Sequence, residues 1–244
     1  MAAGAGIAVM LAGTAARAQG LNLDGVMGGG QTPTAAGGII QMLLVLTAIS
    51  LAPGILMMAT CFTRFIIALS FLRAGLGLQT TPSNIILINL ALFMTWFVMA
   101  PTFEQAWQSG LKPMMEEKIT SREAVENMVQ PFKVFMKANV RDKDAAVFQG
   151  LVKQLTPDQG AADVESIQVL VPAFIVSELR RGFEIGFLIA LPFLVIDIVV
   201  ASIVMSMGMM MVSPIVFSLP LKVLFFVLID GWSILVAALI RSYA

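Results

Sequence analysis

The sequence predicts an all-α membrane protein in which two long apolar helical hairpins are joined by a polar helical region. Three observations predict it. Of 244 residues, 58% are apolar and 12% charged, with a mean hydropathy of +0.90, whereas a soluble domain averages about 45–50% apolar and about 25% charged. The apolar residues come in runs close to or longer than the roughly 20 residues that cross a bilayer. Most of the charge is confined to one stretch, residues 102–171. A soluble fold of this size has too little interior for that apolar surplus, so lipid or a partner must cover it.

Several function classes are disfavoured by what is missing. The chain has no histidine, which removes the commonest general base and metal ligand together. Its one cysteine, Cys61, allows no intrachain disulfide and no thiolate cluster. Fifteen basic and fifteen acidic side chains leave zero formal charge, so there is no electrostatic footprint for nucleic acid. The run Gly28-Gly29-Gly30 lacks the Lys-Ser/Thr that completes a phosphate loop and reads as spacer. The chain therefore reads as a non-enzyme without a cofactor.

Taken in order, residues 1–18 read as a secretory signal peptide. Ile7 to Ala16 is a short apolar stretch, and Ala16-Arg17-Ala18 fits a small-x-small cleavage site. The basic start of such a segment is lacking, and an Ala/Gly leader is the alternative. Residues 19–38 are Gly/Thr/Ala-rich and read as a flexible linker. Residues 39–101 form the first apolar hairpin. Its opening block, Ile39 to Leu72, is too long for one span and is broken at Pro53-Gly54. A turn-rich loop, Arg73 to Asn84, carries no acidic residue, and the second apolar run, Ile85 to Ala100, ends at Pro101.

Residues 102–171 form the polar helical region. Thr120-x-x-Glu123 is a capping-box pattern, and Val125, Met128, Val129, Phe132, Phe135 and Met136 recur behind it at helical spacing. A second helix is predicted over Asp144 to Leu155, followed by a turn at Thr156-Pro157-Asp158. Residues 172–244 form the second hairpin. Its arms run from Phe183 to Met207 and from Val212 to Ile240, and its tip is Gly208-Met209-Met210-Met211 before Pro214.

Ionisable residues inside apolar helices are expensive and mark candidate sites. With a turn at Met209–Met210, Asp197 and Lys222 are each twelve residues from the tip and lie at one depth. A carboxylate and an ammonium there offset each other's desolvation when paired. That pair either holds a hairpin or subunit contact together or belongs to an ion or proton path. Asp230 has no partner at matching depth. Glu178, Arg180, Arg181 and Glu184 read as an interfacial girdle with local i,i+3 and i,i+4 pairing. The three consecutive methionines are either apolar filler or a deformable seal, because unbranched thioether chains repack at low cost.

Three long segments resemble a known family. PAFIVSELRRGFEIGF (Pro172 to Phe187) and PFLVIDIVVASIVMSMGM (Pro192 to Met209) are similar to signature segments of the FliP family. CFTRFIIALSFLRAGLGLQTTPSN (Cys61 to Asn84) looks like its first hairpin. The likeness covers roughly Ile39 onward. It implies a core subunit of the flagellar type III protein-export gate in the bacterial inner membrane. FliP copies would form a ring with FliR, encircled by FliQ, through which unfolded flagellar proteins pass. It further implies that Met209, Met210 and Met211 form a channel gasket and that Glu178, Asp197 and Lys222 are buried charges at subunit contacts. Independently of the likeness, a cleaved signal at residues 1–18 followed by two hairpins places residues 102–171 in the periplasm, with the basic Arg73–Asn84 loop on the cytoplasmic side. The homologous subunit of a virulence injectisome and an ion-coupled transporter using Asp197, Asp230 and Lys222 are the competing readings. No internal repeat supports the transporter, and no nucleophile–base pair supports a membrane enzyme.

Overall fold

The structure is a computed structural model that describes residues 57–155, 164–209 and 212–243, together with scattered positions between 42 and 54. The expected leader, linker and Thr156-Pro157-Asp158 turn lie outside the described residues. Every element among the described residues is helical, as the apolar runs and the capping box require.

Helix α1 (Phe62–Gly75) buries Arg64, Phe65, Ala68, Leu69 and Leu72. A short loop with Gly77 at φ +77° reverses the chain into α2 (Asn84–Ala106). Pro101 does not stop this helix. The backbone continues through a π turn (Trp107–Leu111) into the single turn α3 (Lys112–Met115), giving 32 helical residues from Asn84 to Met115. A proline removes one helical hydrogen bond and bends a helix. Here α1 packs against α2, and α4 packs against both α2 and the π turn. The π turn brings Gly110 close enough to α4 that a Cβ would stand 2.8 Å from the Ala124 carbonyl oxygen.

Helix α4 (Ser121–Asn139) starts on the expected capping box: the Glu123 amide donates to the Thr120 hydroxyl, and the Thr120 amide donates to the Glu123 carboxylate. Its inner face differs by one residue from the sequence reading. Ala124 and Met136 are buried, whereas Val125 is exposed. Helix α5 (Asp142–Leu155) begins two residues ahead of the expected start.

Helix α6 (Ile167–Ser206) is 40 residues long and passes through Pro172 and Pro192. It begins inside the stretch read as polar. At 1.5 Å per residue it is about 60 Å long, twice the roughly 30 Å hydrocarbon core of a bilayer. The chain turns at Gly208 (φ +76°) and returns as α7 (Ile215–Leu228) and α8 (Gly231–Arg241). These two are bent by 67° from one another, so the returning arm, read as one apolar stretch, is broken at Ile229–Asp230.

Helices α1 and α6 run parallel. Small residues on α6 let them approach: a Cβ on Gly182 would meet Ile67 at 3.2 Å, and one on Gly186 would meet the Phe71 ring at 2.7 Å. On the other helix, a Cβ on Gly75 would meet Phe193 at 3.1 Å. Small residues at four-residue spacing are how apolar helices pack closely without a hydrophobic driving force between them. The main core lies along this seam. It joins Phe65, Leu69, Leu87, Met94, Phe193, Phe226 and Leu239 from α1, α2, α6, α7 and α8. A smaller cluster, Met136, Leu170 and Phe174, fixes α4 to the upper part of α6.

Candidate functional site

Two ion pairs hang on the α1–α6 seam, a fully buried one at its upper end and a half-buried one at its lower end. At the upper end the guanidinium of Arg64 (1% exposed) meets the carboxylate of Glu178 (0% exposed). Arg64 Nε donates to Glu178 Oε2 at 3.0 Å, and Nη2 donates to Oε1. Nη1 donates to the Ser242 carbonyl at 3.0 Å and to the Ser242 hydroxyl at 3.1 Å. The Tyr243 hydroxyl donates to Glu178 Oε2, and the Arg64 guanidinium lies 3.6 Å from the centre of the Tyr243 ring. That ring also meets Phe65 edge-on at 5.5 Å and stacks on Phe135 at 5.9 Å. Four segments, α1, α4, α6 and the residues after α8, thus converge on one neutral, hydrogen-bonded unit. Such two-pronged arginine–carboxylate pairing is the geometry that makes a desolvated pair tolerable.

Glu178 therefore does not belong to the exposed girdle expected from its neighbours. Arg180 and Glu184 do pair locally, at 3.0 Å, but Glu178 points inward because one face of α6 is sealed by α1. Arg64 is the residue that the sequence reading left without a role. The sequence carries half of the signal: an arginine inside an apolar helix needs an acid, but Glu178, Glu184 and Asp230 all lie in or beside the apolar arms, and only the packing of α1 on α6 selects Glu178.

Lower on the seam, Lys222 Nζ of α7 donates to Asp197 Oδ2 of α6 at 2.6 Å and to the Gly75 carbonyl at 3.0 Å. The pair is unequal, with the Lys222 side chain 6% exposed and that of Asp197 44% exposed. The Gly75 carbonyl belongs to the last turn of α1, where unsatisfied carbonyls favour a cation. The ammonium thus ties the end of the first hairpin to both arms of the second. The sequence reading missed this third partner, which only the parallel packing of α1 and α6 supplies.

The first hairpin reaches the level of this pair, where a Cβ on Gly77 would stand 3.9 Å from Lys222 Nζ, and past Asp197 α6 continues nine residues to Ser206, about 14 Å further. No ionisable residue lies between Asp197 and Lys222, so α6 and α7 form a charge-free two-helix finger there. Its outer side chains Ile198, Ile203, Met205, Val216 and Leu221 are exposed. Of the three tip methionines, Met209 is part-buried just after the turn, and Met210 and Met211 lie outside the described residues. Asp230 lies eight residues beyond Lys222. It occupies the N-cap position of α8 in the left-handed region (φ 51°, ψ 50°) and makes no side-chain cap bond. Among the described residues no group of His, Cys, Asp and Glu side chains could hold a metal ion.

Comparison with known proteins covers most of this architecture. The FliP family profile matches residues 45–239. The chain is 54% identical over 205 residues to the flagellar biosynthetic protein FliP of Agrobacterium fabrum, covering 84% of each chain. It is 48% identical over 204 residues to FliP of Bacillus subtilis, covering 84% of this chain and 91% of that one. It is 41% identical over 215 residues to FliP of Pectobacterium carotovorum, covering 88% and 81%. Both ion pairs, the small-residue seam and the finger fall inside the matched span, and the chain belongs to the FliP family.

Proposed function

We propose that this chain is a channel-forming core subunit of the flagellar type III export gate. In this reading several copies, together with FliR and an outer layer of FliQ, surround a path for unfolded flagellar proteins across the inner membrane. Its relatives are flagellar biosynthetic proteins, which favours the flagellar branch over an injectisome.

The observation that carries the reading is the charge-free finger. A 24-residue stretch without an ionisable side chain projects past the first hairpin, apolar on its outer side, and the chain reverses at Gly208, where the run of three methionines begins. A lone hairpin cannot enclose a pore, but several such turns meeting at one level would form an apolar plug. Ions entering it would lose hydration without compensation. A passing polypeptide would part it, because methionine has three soft torsions. Three consecutive methionines in a helix would point about 100° apart, but α6 ends at Ser206 and Gly208 takes φ +76° ahead of the first of them.

The polar region at residues 102–171 is assigned to the periplasm, and the Arg73–Asn84 loop, basic and without acid, to the cytoplasmic side, in keeping with the positive-inside rule. Glu178, Asp197 and Lys222 then serve first to hold each copy's two hairpins in register, and through that register to hold the ring. Replacing Met209, Met210 and Met211 together with alanine tests the gate. Assembly is expected to persist while the inner membrane leaks small ions during export. Wild-type conductance with an intact complex would reduce the methionines to filler.

A further inference from the structure

We propose that the bend between α7 and α8 is a strained hinge, held closed by a latch in which Ser242 and Tyr243 engage the Arg64–Glu178 pair. The proposal concerns the shape of the returning arm and stands apart from the gate reading.

The strain is local and specific. Asp230 has φ 51°, a conformation in which the Cβ of an L-residue crowds its own backbone and which aspartate tolerates better than most. No side-chain cap bond offsets it. Both flanking segments are helical and apolar. Helical backbone at Ile229 and Asp230 would join them into one helix and relieve the left-handed residue. The bent form must therefore be held by contacts elsewhere.

Those contacts lie at the two ends of α8. At the hinge, the Phe226 ring folds over Gly231, leaving no room for a Cβ, and meets Trp232 edge-on at 5.3 Å. At the far end, Ser242 accepts twice from Arg64 and Tyr243 donates to Glu178. Arg64 and Glu178 are fully enclosed and make a rigid anchor. Between the two ends Leu235 and Leu239 pack into the main core, beside an open apolar groove of about 350 Å³ lined by Ile189, Pro192, Phe193 and Phe226 among others, so the latch adds to that packing by fixing the far end of α8.

The test measures the bend directly. Spin labels at Arg122→Cys on α4 and Ile234→Cys on α8 are placed in the full chain with Cys61→Ala, diluted with unlabelled chain in detergent. The latched protein gives one narrow distance. Loss of a hydrogen bond to an ionised carboxylate shifts a two-state balance roughly tenfold or more, so Tyr243→Ala should raise a second distance by that factor. Tyr243→Phe, which keeps the ring contacts, should raise it less, and it decides the question where Tyr243→Ala yields no folded protein. Adding Asp230→Gly should restore the single distance, since glycine accepts the left-handed conformation and disfavours the straight helix. A single unchanged distance in the folded Tyr243 variants, or a second population that Asp230→Gly leaves undiminished, overturns the hinge.

Discussion

Replacing Arg64 with methionine isolates what the upper ion pair contributes. The side chain keeps a similar length and loses its charge, leaving the Glu178 carboxylate at 0% exposure without a counter-charge. Breaking a buried pair from one side costs about 3–5 kcal/mol. The Tyr243 hydroxyl still donates to Glu178, and one bond to a charged group is worth about 1.5–3 kcal/mol, which places the loss at the low end. About 3 kcal/mol corresponds to a folded-to-unfolded ratio lower by roughly 150-fold. The informative comparison is with the triple variant Arg64→Met/Glu178→Leu/Tyr243→Phe. It removes the orphaned charge and the orphaned hydroxyl together, and well-packed apolar replacements of buried pairs are often neutral or stabilising. The triple variant should therefore be more stable than Arg64→Met alone. Unfolding by sodium dodecyl sulfate, followed through Trp96, Trp107 and Trp232, measures both. The reasoning fails if Arg64→Met lies within about 1 kcal/mol of the parent, or if the triple variant is the less stable of the two.

The lower pair should respond asymmetrically. Asp197→Ala strands an almost enclosed ammonium with only the Gly75 carbonyl, whereas Lys222→Ala leaves a carboxylate that is 44% exposed, so Asp197→Ala should give the lower yield of folded protein; equal yields would contradict this. On the seam, Gly186→Leu drives a side chain into the Phe71 ring, which a Cβ alone would approach to 2.7 Å. Overpacking of this kind costs about 1–3 kcal/mol, and Phe71→Ala should recover part of the loss in the same unfolding assay.

The architecture was legible in the sequence wherever the signal is local. The capping box at Thr120 and Glu123, the apolar arms and the helical spacing behind Glu123 are each written within a few residues of where they act. The equal depth of Asp197 and Lys222 is a simple consequence of a turn midway between them. What could not be read depends on which helices lie side by side. Glu178 looks like part of a charged girdle until α1 is known to run parallel to α6, and only then does Arg64 become its partner. Gly182 and Gly186 look like ordinary small residues until Ile67 and Phe71 are found against them. The break at Asp230 has no glycine or proline at the left-handed position itself. Aspartate there and glycine after it are weak cues that a long apolar run conceals.

The depth of the two hairpins also bears on what surrounds the chain. Arg64 is level with Glu178, and Cys61 beside it contacts the Thr95 carbonyl, so the exposed Trp96 and Phe97 lie near the level of Glu178. The exposed Met205 lies at the end of α6, 27 residues further along, about 40 Å away. A hydrocarbon core about 30 Å thick cannot cover both. A slab centred on the finger leaves the aromatic face of α2 above the lipid, and one centred on that face leaves the finger below. Either placement exposes apolar surface to water unless protein covers it, and uncovered patches of that extent are rare on isolated soluble surfaces. The offset of the hairpins thus supports an assembly in which neighbouring subunits cover what the bilayer cannot. Hydropathy marks Asn84–Met115 and Ile167–Ser206, and the bent pair α7–α8 if it counts as one span, as apolar enough to cross a membrane, because lipid and a covering subunit demand the same apolar surface.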